Sequence, residues 1–318
     1  MTDRPRLSVA EASTLTRRIT LASTGVALLL VLIKGGAWLV SGSTALLASA
    51  ADSGLDLLAS LVTFFAVRYA ASPPDAEHRF GHGKAEAFAS LLQGGLVFAS
   101  AALVAREAAE ELLRPTEVAH GAMAMGVMVV SLALTAGLIT AQSYVLKRTA
   151  SVAVAGDRAH YATDLASNAV ALLGIAASTL LGWRSLDAIA ALVIAALLVW
   201  GAIGVFREAA AQLMDRELPR EERDRIAALV TADAALTDVH QLRTRASGPY
   251  VHIQMHVDLD PGLTLEQAHA ALVAAEKRVL AEFPSADIII HPDPRGAAEP
   301  HGGAFAETAL GKRGLKEG

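Results

Sequence analysis

The stretch Leu46–Ala66 reads LLASAADSGLDLLASLVTFFA and is apolar enough to lie in a lipid bilayer. Within it, Asp52 and Asp56 are four residues apart, so a helix places both carboxylates on one face. A charged Asp at the bilayer centre costs roughly 2.5–3.5 kcal/mol, and the pair therefore costs about 5–7 kcal/mol. The neighbours are mainly Ala, Ser, Gly and Leu. The compensation must therefore come from another helix, from a cation or from protonation.

The composition of the chain is that of a membrane protein. Of its 318 residues, 53% are hydrophobic and only 19% are charged, which is unusual for a soluble enzyme of this length. The formal net charge of −5 gives no case for nucleic acid as a partner. Cysteine is absent, so any bound metal must be held by His, Asp or Glu.

Six apolar segments are predicted to be transmembrane helices, because each can supply the roughly 20 residues that a hydrocarbon core requires. They run near 19–40, 44–70, 86–112, 121–146, 161–182 and 187–211. Lys and Arg concentrate on one side of this arrangement, which predicts that both termini are cytoplasmic. We expect a cytoplasmic N-terminal segment over 1–18 and an all-α, six-helix transmembrane domain over 19–213.

The remainder of the chain has the pattern of a small soluble domain. Pro219 introduces an amphipathic helix, two alternating strands follow on either side of a Gly-Pro turn, and Thr264 is placed to cap a second helix before a third strand. The order α-β-β-α-β predicts a ferredoxin-like or metallochaperone-like α+β domain over 214–295, with both helices on one face of the sheet. The Gly- and Ala-rich tail 296–318 is predicted to be disordered.

The fifth span supplies a second pair of ligand side chains. Its sequence HYATD places His160 and Asp164 four residues apart, so that facing second and fifth spans would bring three carboxylates and one imidazole together with Asp52 and Asp56. This donor set suits tetrahedral Zn²⁺ and, less selectively, Fe²⁺, Cd²⁺ or Mn²⁺. Without metal, the cluster should take up protons to relieve its own repulsion. Metal binding and proton release are therefore linked, as a metal/proton antiporter requires.

Two other polar residues in the spans have plainer interpretations. Lys34 lies toward the outer end of the first span and is expected to extend its ammonium group to the membrane surface. Asn168, one turn beyond Asp164, either supports the metal ligands or forms a hydrogen bond between helices.

The loop after the second span contains another set of metal-ligand side chains. In SPPDAEHRFGHGKAEAF, Asp75, His78 and His82 have three- and four-residue spacings, and flanking glycines allow a tight bend. The spacing alone fits a metal site and solvated loop histidines equally well. Lys84 fits either an interfacial anchor or one half of an ion pair.

The C-terminal domain carries histidines and an acidic residue near its strand ends. They are His240, His252, His256, His269, His291 and Asp293. Such a cluster beside a membrane metal site favours a second metal centre. His252 is interpreted as an ordinary surface residue outside it.

Taken together, these motifs resemble the cation diffusion facilitator family, and most closely its bacterial ferrous-iron/zinc efflux pump branch. The resemblance covers roughly residues 15–295 and includes DSGLD, HYATD, HRFGHGKAE and the α-β-β-α-β domain. It implies a homodimer in the bacterial inner membrane that exports divalent metal, Zn²⁺ above all, in exchange for protons by alternating access.

The resemblance also implies a role for each matching residue. The transport site corresponds to Asp52, Asp56, His160 and Asp164; the loop site to Asp75, His78 and His82; and the binuclear cytoplasmic site to His240, His256, His269, His291 and Asp293. Lys84 and Asp215 match an ion pair that locks the two subunits together at the membrane surface.

Two other classes of protein compete with a transporter. An intramembrane metalloenzyme would need an open coordination position beside a general base, commonly in a His-Glu-x-x-His motif, and the chain has no such motif. A membrane-tethered metal sensor would use the C-terminal domain alone and leave the intramembrane carboxylates idle.

Overall fold

The computed structural model describes residues 7–42, 44–113, 122–181 and 186–296. The chain divides into two compact units, one formed by residues 10–213 and the other beginning at Met214. Each unit has its own buried core. The tail predicted to be disordered lies outside the described residues, apart from Gly296.

Six long helices make up the first unit within the described residues. They are α1 (Val9–Ser41), α2 (Thr44–Ala70), α3 (Ala85–Leu113), α4 (Ala122–Thr149), α5 (Val152–Leu181) and α6 (Leu186–Leu213). The first and fifth helices extend beyond the apolar segments predicted to begin near 19 and 161. The helices begin earlier because a formed helix continues through polar residues at little further cost.

Five of these helices are long and apolar enough to cross a membrane: α1, α2, α3, α4 and α6. The remaining helix, α5, has four ionisable residues in its first half, which lower its apolar character: Asp157, Arg158, His160 and Asp164. The transmembrane helical domain is thus observed, while the sixth crossing stays a prediction.

The helices of the first unit expose apolar side chains and bury small or polar ones. Leu39 and Trp200 are 75% and 79% exposed. The buried face of α1 includes Thr16, Ser23 and Ala27. This distribution is typical of helices in lipid, where apolar side chains contact the acyl chains and small residues let the helices pack closely.

A glycine sets the distance between α3 and α5. A Cβ atom added at Gly156 would lie 3.0 Å from the Cα atom of Ser90 and 3.1 Å from Cβ of Gln93. Any larger residue would push the two backbones apart. The close approach brings Gln93 next to Asp157, the residue that follows the glycine.

The second unit has the predicted element order. It contains α7 (Arg220–Val230), β1 (Leu236–Ser247), β2 (Tyr250–Leu259), α8 (Leu265–Glu282) and β3 (Ala286–Pro294). The central strand β2 pairs antiparallel with β1 and parallel with β3. Thr264 caps α8 through a capping box with Gln267, which satisfies backbone donors at the helix start.

The two faces of this sheet differ in chemistry. Ile253, Met255 and Val257 pack in the core with residues of α7 and α8, so both helices lie on one face, as predicted. Because successive side chains of a strand point to opposite faces, the even-numbered residues of β2 face away from the helices. They include His252 and His256.

Candidate metal centres

Helices α2 and α5 bring three of the four predicted transport ligands together. The Nε2 atom of His160 lies 3.0 Å from Oδ1 of Asp56 and 3.9 Å from Oδ2 of Asp164. One ligand atom from each residue lies within 4.8 Å of the others. His160 and Asp56 are buried and Asp164 is partly buried. The arrangement gives one imidazole and two carboxylates that converge inside the helical bundle.

The fourth predicted ligand, Asp52, lies one helical turn earlier on α2. It is more exposed than Asp56 and stands outside the three-residue group. It nevertheless lines the same cavity as Asp56 and Asp164, together with Asn168. The structure therefore places all three carboxylates around one cavity and leaves Asp52 on its accessible side.

Lys34 is also part of this cavity, which corrects the expectation that it extends to the membrane surface. The residue is buried, and its Nζ donates to Oγ of Ser53 on α2 at 2.7 Å. A hydroxyl acceptor beside carboxylates is a better environment for an ammonium group than hydrocarbon. Three carboxylates and one ammonium around the cavity leave two negative formal charges, which a divalent cation cancels.

The loop residues Asp75, His78 and His82 also lie together. The carboxylate of Asp75 accepts hydrogen bonds from the backbone N–H groups of His78 (2.7 Å) and Glu77 (2.9 Å). These bonds lower the pKa of Asp75 below its ordinary value, and the bond from His78 has the largest effect. Its oxygens lie 3.3 Å from Nδ1 of His78 and 3.2 Å from Nε2 of His82.

The bend that closes this loop depends on Gly81, whose φ is 79°. This left-handed conformation is one that glycine adopts without a steric penalty. His82 is buried against the ring of Tyr69, with 4.4 Å between ring centroids, while His78 stays exposed. The loop thus presents one buried and one exposed imidazole to the same carboxylate.

Lys84 and Asp215, the predicted ion pair, belong to different units of the chain. Lys84 Nζ donates to the carbonyl oxygen of Leu213 at 3.3 Å. Asp215 accepts from Nη1 of Arg245 at 3.1 Å. The pairing of Lys84 with Asp215 stays a prediction.

In the second unit, strand register assembles the histidine cluster. His240 of β1 is paired with His256 of β2, and His256 with His291 of β3. Asp293 joins them: its Oδ2 lies 3.0 Å from Nε2 of His240 and 2.9 Å from Nδ1 of His256. Its Oδ1 lies 3.3 Å from Nε2 of His291. Four predicted ligands therefore form one cluster on the sheet face that the helices leave open.

The electrostatics of this cluster centre on Asp293. Burial raises its pKa, but hydrogen bonds with His256 and His240 outweigh burial, and the pKa lies below the ordinary value. The carboxylate is thus held in the ionised form that a metal ligand needs.

His269 is the predicted ligand that the structure does not bring to this cluster. It is exposed on α8, and α8 packs on the opposite face of the sheet. Asp258, which the sequence analysis did not select, lies beside the cluster, with its Oδ1 3.9 Å from Nδ1 of His240. This oxygen is buried and has no hydrogen-bond partner. The alternation of β2 could have identified Asp258, because a residue two positions after His256 lies on the same face of the sheet.

His252 is not the ordinary surface residue expected. It is only 6% exposed, and its Nδ1 lies 3.1 Å from Oδ2 of Asp287. The register explains this, because His252 of the central strand is paired with Asp287 of β3.

Comparison with known proteins agrees with this arrangement. The sequence model of the cation efflux transmembrane domain matches residues 20–214, and that of the cation efflux protein cytoplasmic domain matches residues 218–295. The chain belongs to the cation efflux family. The family resemblance predicted from the motifs is confirmed, and the metalloenzyme hypothesis is wrong, because this is a family of transporters.

Relatives match over nearly the whole length of both chains. The cation-efflux pump FieF of Salmonella arizonae is 39% identical over 280 residues, which are 88% of this chain and 93% of the pump. FieF of Salmonella schwarzengrund is 38% identical over 291 residues, 92% of this chain and 97% of the pump. A solved structure of CzrB in its Zn form is 31% identical, with a TM-score of 0.25, and covers 27% of this chain and 99% of its own.

Proposed function

We propose that the protein exports a divalent metal cation, with Zn²⁺ as its best-suited cargo, across the bacterial inner membrane in exchange for protons. The observation that carries the proposal is the buried contact between Asp56 of α2 and His160 of α5, with Asp164 beside it. These are metal-ligand types inside a transmembrane domain, and intramembrane ionisable groups are seldom kept without a function. The relatives named as cation-efflux pumps support the same conclusion.

Competition between metal and protons for the same atoms couples the two fluxes. A divalent ion entering between His160 and Asp56 replaces their mutual contact with two metal–ligand bonds and displaces protons that the cluster holds. When the site faces outward, protons compete the metal off. A rocking movement of the helices around a fixed site would supply alternating access.

Asp52 is proposed as the fourth ligand. It lines the same cavity, and a change of side-chain conformation would complete the tetrahedral geometry that suits Zn²⁺. Imidazole and carboxylate donors also bind Fe²⁺, Cd²⁺ and Mn²⁺, which are further candidates for transport.

The loop and C-terminal clusters are proposed as cytoplasmic metal sites. Imidazoles and a carboxylate around Asp75, and likewise around Asp293, fit a divalent cation. The second unit matches the cytoplasmic domain of cation efflux proteins, and we propose that it dimerises. His269 would then join the cluster from a second copy, since α8 lies on the other sheet face of its own chain.

The membrane topology is proposed in the same way. Six crossings, α5 included, would place both termini in the cytoplasm, as the distribution of Lys and Arg predicts. The ion pair between Lys84 and Asp215 is proposed to join the two subunits at the membrane surface.

Metal-dependent proton flux in liposomes tests the proposal. The full-length chain should take up Zn²⁺ against a pH gradient and collapse that gradient, while Asp56→Ala should do neither. Asp224→Ala is the matched control, because Asp224 is an exposed carboxylate on α7. A wild-type chain that binds metal but moves neither ion would contradict the proposal and favour a membrane-tethered sensor.

A further inference from the structure

A second buried carboxylate lies in the transmembrane domain, outside the metal cluster. Asp157 of α5 is fully buried and three residues before His160. Among the described residues, its carboxylate forms no ion pair with Lys, Arg or His. A buried charge without an ion-pair partner is energetically costly, which suggests that Asp157 has a function.

The groups around Asp157 come from four other helices and are uncharged. Its Oδ2 accepts from Nε2 of Gln142 on α4 at 2.9 Å, and its Oδ1 accepts from Nε2 of Gln93 on α3 at 3.3 Å. Oγ of Ser60 on α2 lies 3.5 Å away. Gln142 also donates to Oγ of Ser23 on α1, at 3.1 Å.

These partners fit both protonation states of the carboxyl group. Each amide nitrogen donates to an ionised Asp157, while Oε1 of Gln93 and Oε1 of Gln142 are buried without a hydrogen-bond partner. If an amide turns over, its oxygen accepts a hydrogen bond from a protonated Asp157, because an amide offers donors on one atom and an acceptor on the other. The pocket therefore offers hydrogen-bond partners to both the ionised and the protonated carboxyl group.

Two hydroxyl groups connect this pocket to the metal cluster. Oγ of Ser60 lies 2.7 Å from the hydroxyl of Tyr161, and either can donate. Tyr161 lines the cavity that contains Asp52, Asp56 and Asp164. Two hydroxyl groups therefore connect Asp157 to a residue that lines the cavity.

The charged surroundings of Asp157 are limited. On its own helix the titratable neighbours are His160 and Tyr161. On α2, Asp56 lies one turn before Ser60 and acts on Tyr161. On α3, Glu86 contacts Ser151. Residues of α1 and α4 that face it are hydroxyls and amides, and no described residue of α6 bonds to its carboxyl.

We propose that Asp157 is a separate proton-binding site that takes up protons displaced from the metal cluster and delivers them toward the predicted cytoplasmic side. In the transfer, the Ser60 hydroxyl gives its proton to the Asp157 carboxylate and recovers one from Tyr161, which recovers one from the cavity. Asp157 lies nearer than His160 to Val152, where α5 begins. This end of α5 is its predicted cytoplasmic end, so Asp157 lies between the metal cluster and the cytoplasm. This inference rests on the proposed proton antiport.

The test separates proton-coupled transport from metal exchange. Liposomes with the full-length chain are assayed for Zn²⁺ uptake driven by a pH gradient, and for exchange of labelled Zn²⁺ with equal Zn²⁺ on both sides, which needs no net proton transfer. In Asp157→Asn, which keeps the side-chain size, driven uptake should fall about tenfold or more while exchange stays within about twofold of wild type. Asp157→Glu should restore part of the driven uptake, and Ser60→Ala should lower it selectively.

Other outcomes would overturn the inference. Unchanged driven uptake in Asp157→Asn would show that the carboxyl carries no required proton. Equal loss of exchange and driven uptake, in Asp157→Asn and in Ser60→Ala, would show that the network only supports packing. Wild-type liposomes that carry out neither reaction would instead contradict the proposed function itself.

Discussion

His160 of α5 contacts Asp56 of α2 at 3.0 Å between Nε2 and Oδ1. The contact joins two helices of the bundle, and both side chains are buried. A cation that binds both side chains must replace their mutual contact, so the strength of metal binding depends on how much better the new contacts are. The first prediction follows from that replacement.

Loss of Asp56 should weaken metal binding severely. Changes to groups that merely support metal ligands often cost 10–100-fold in affinity, so Asp56→Ala, which removes a ligand, should cost about 100-fold or more. Titration calorimetry with Zn²⁺ on the detergent-solubilised protein measures the change. Because the C-terminal and loop clusters also bind metal in this proposal, the double variant His256→Ala/His82→Ala serves as a background in which the membrane site is titrated. Equal affinities with and without Asp56 would exclude this site.

Removal of the Lys34 ammonium should strengthen metal binding and slow release. The group lies in the same cavity as the three carboxylates, and a positive charge this close opposes a bound cation. We expect Lys34→Met to bind Zn²⁺ about tenfold more tightly or better, with lower turnover in liposomes.

Lys34→Arg is the matched control, since it keeps the charge and a donor for Ser53. It should bind metal close to wild-type affinity. Weaker binding in Lys34→Met would show that the lysine supports the site by holding Ser53 and α2 in place, and that its charge does not set the affinity.

Acid should loosen the C-terminal sheet through Asp293. The pKa of this group is lowered in the folded protein. Its ionised form therefore adds stability above its ordinary value of about 3.9, and that stability is lost as pH falls through the lower folded value. Hydrogen exchange of metal-free protein should show protection over 250–259 and 286–294 that decreases as the pH falls below about 4.

Asp293→Asn should remove most of that pH dependence in the two strands. Asp75→Asn is the control, because the pKa of Asp75 is also lowered but the residue belongs to the other unit. A pH profile over the strands that Asp293→Asn leaves unchanged would mean that other groups, such as the histidines, control the acid response.

Local spacing was sufficient to select most of the candidate metal ligands that the structure brings together. The four-residue spacing of Asp52 with Asp56, and of His160 with Asp164, is fixed by helix geometry and needs only the right pair of helices to meet. Strand alternation likewise predicted that His291 and Asp293 leave the last strand on one face. These inferences depend on periodicity, which the sequence contains directly.

The residues that sequence reasoning missed depend on contacts between elements. Lys34 has a place inside the bundle only because Ser53 of α2 offers an acceptor, and the pocket of Asp157 requires amides from α3 and α4. His269 has a suitable side chain, but α8 lies on the wrong sheet face for it to join the cluster of its own chain. The spacing within one helix or strand does not show which of its faces will contact another element.

The approach of α3 and α5 at Gly156 should make this position intolerant of any side chain. A Cβ at this position would meet the backbone of Ser90 at 3.0 Å, and backbone cannot move aside as a side-chain end can. Gly156→Ala should therefore destabilise the protein by about 1–3 kcal/mol despite the higher helix propensity of alanine. Gly25→Ala is the matched control, because nothing lies within 4 Å of a Cβ there, and it should leave stability unchanged or raise it. Thermal unfolding of both variants in detergent measures the difference, and an unfolding temperature for Gly156→Ala equal to that of Gly25→Ala would mean that the two helices are not held this close.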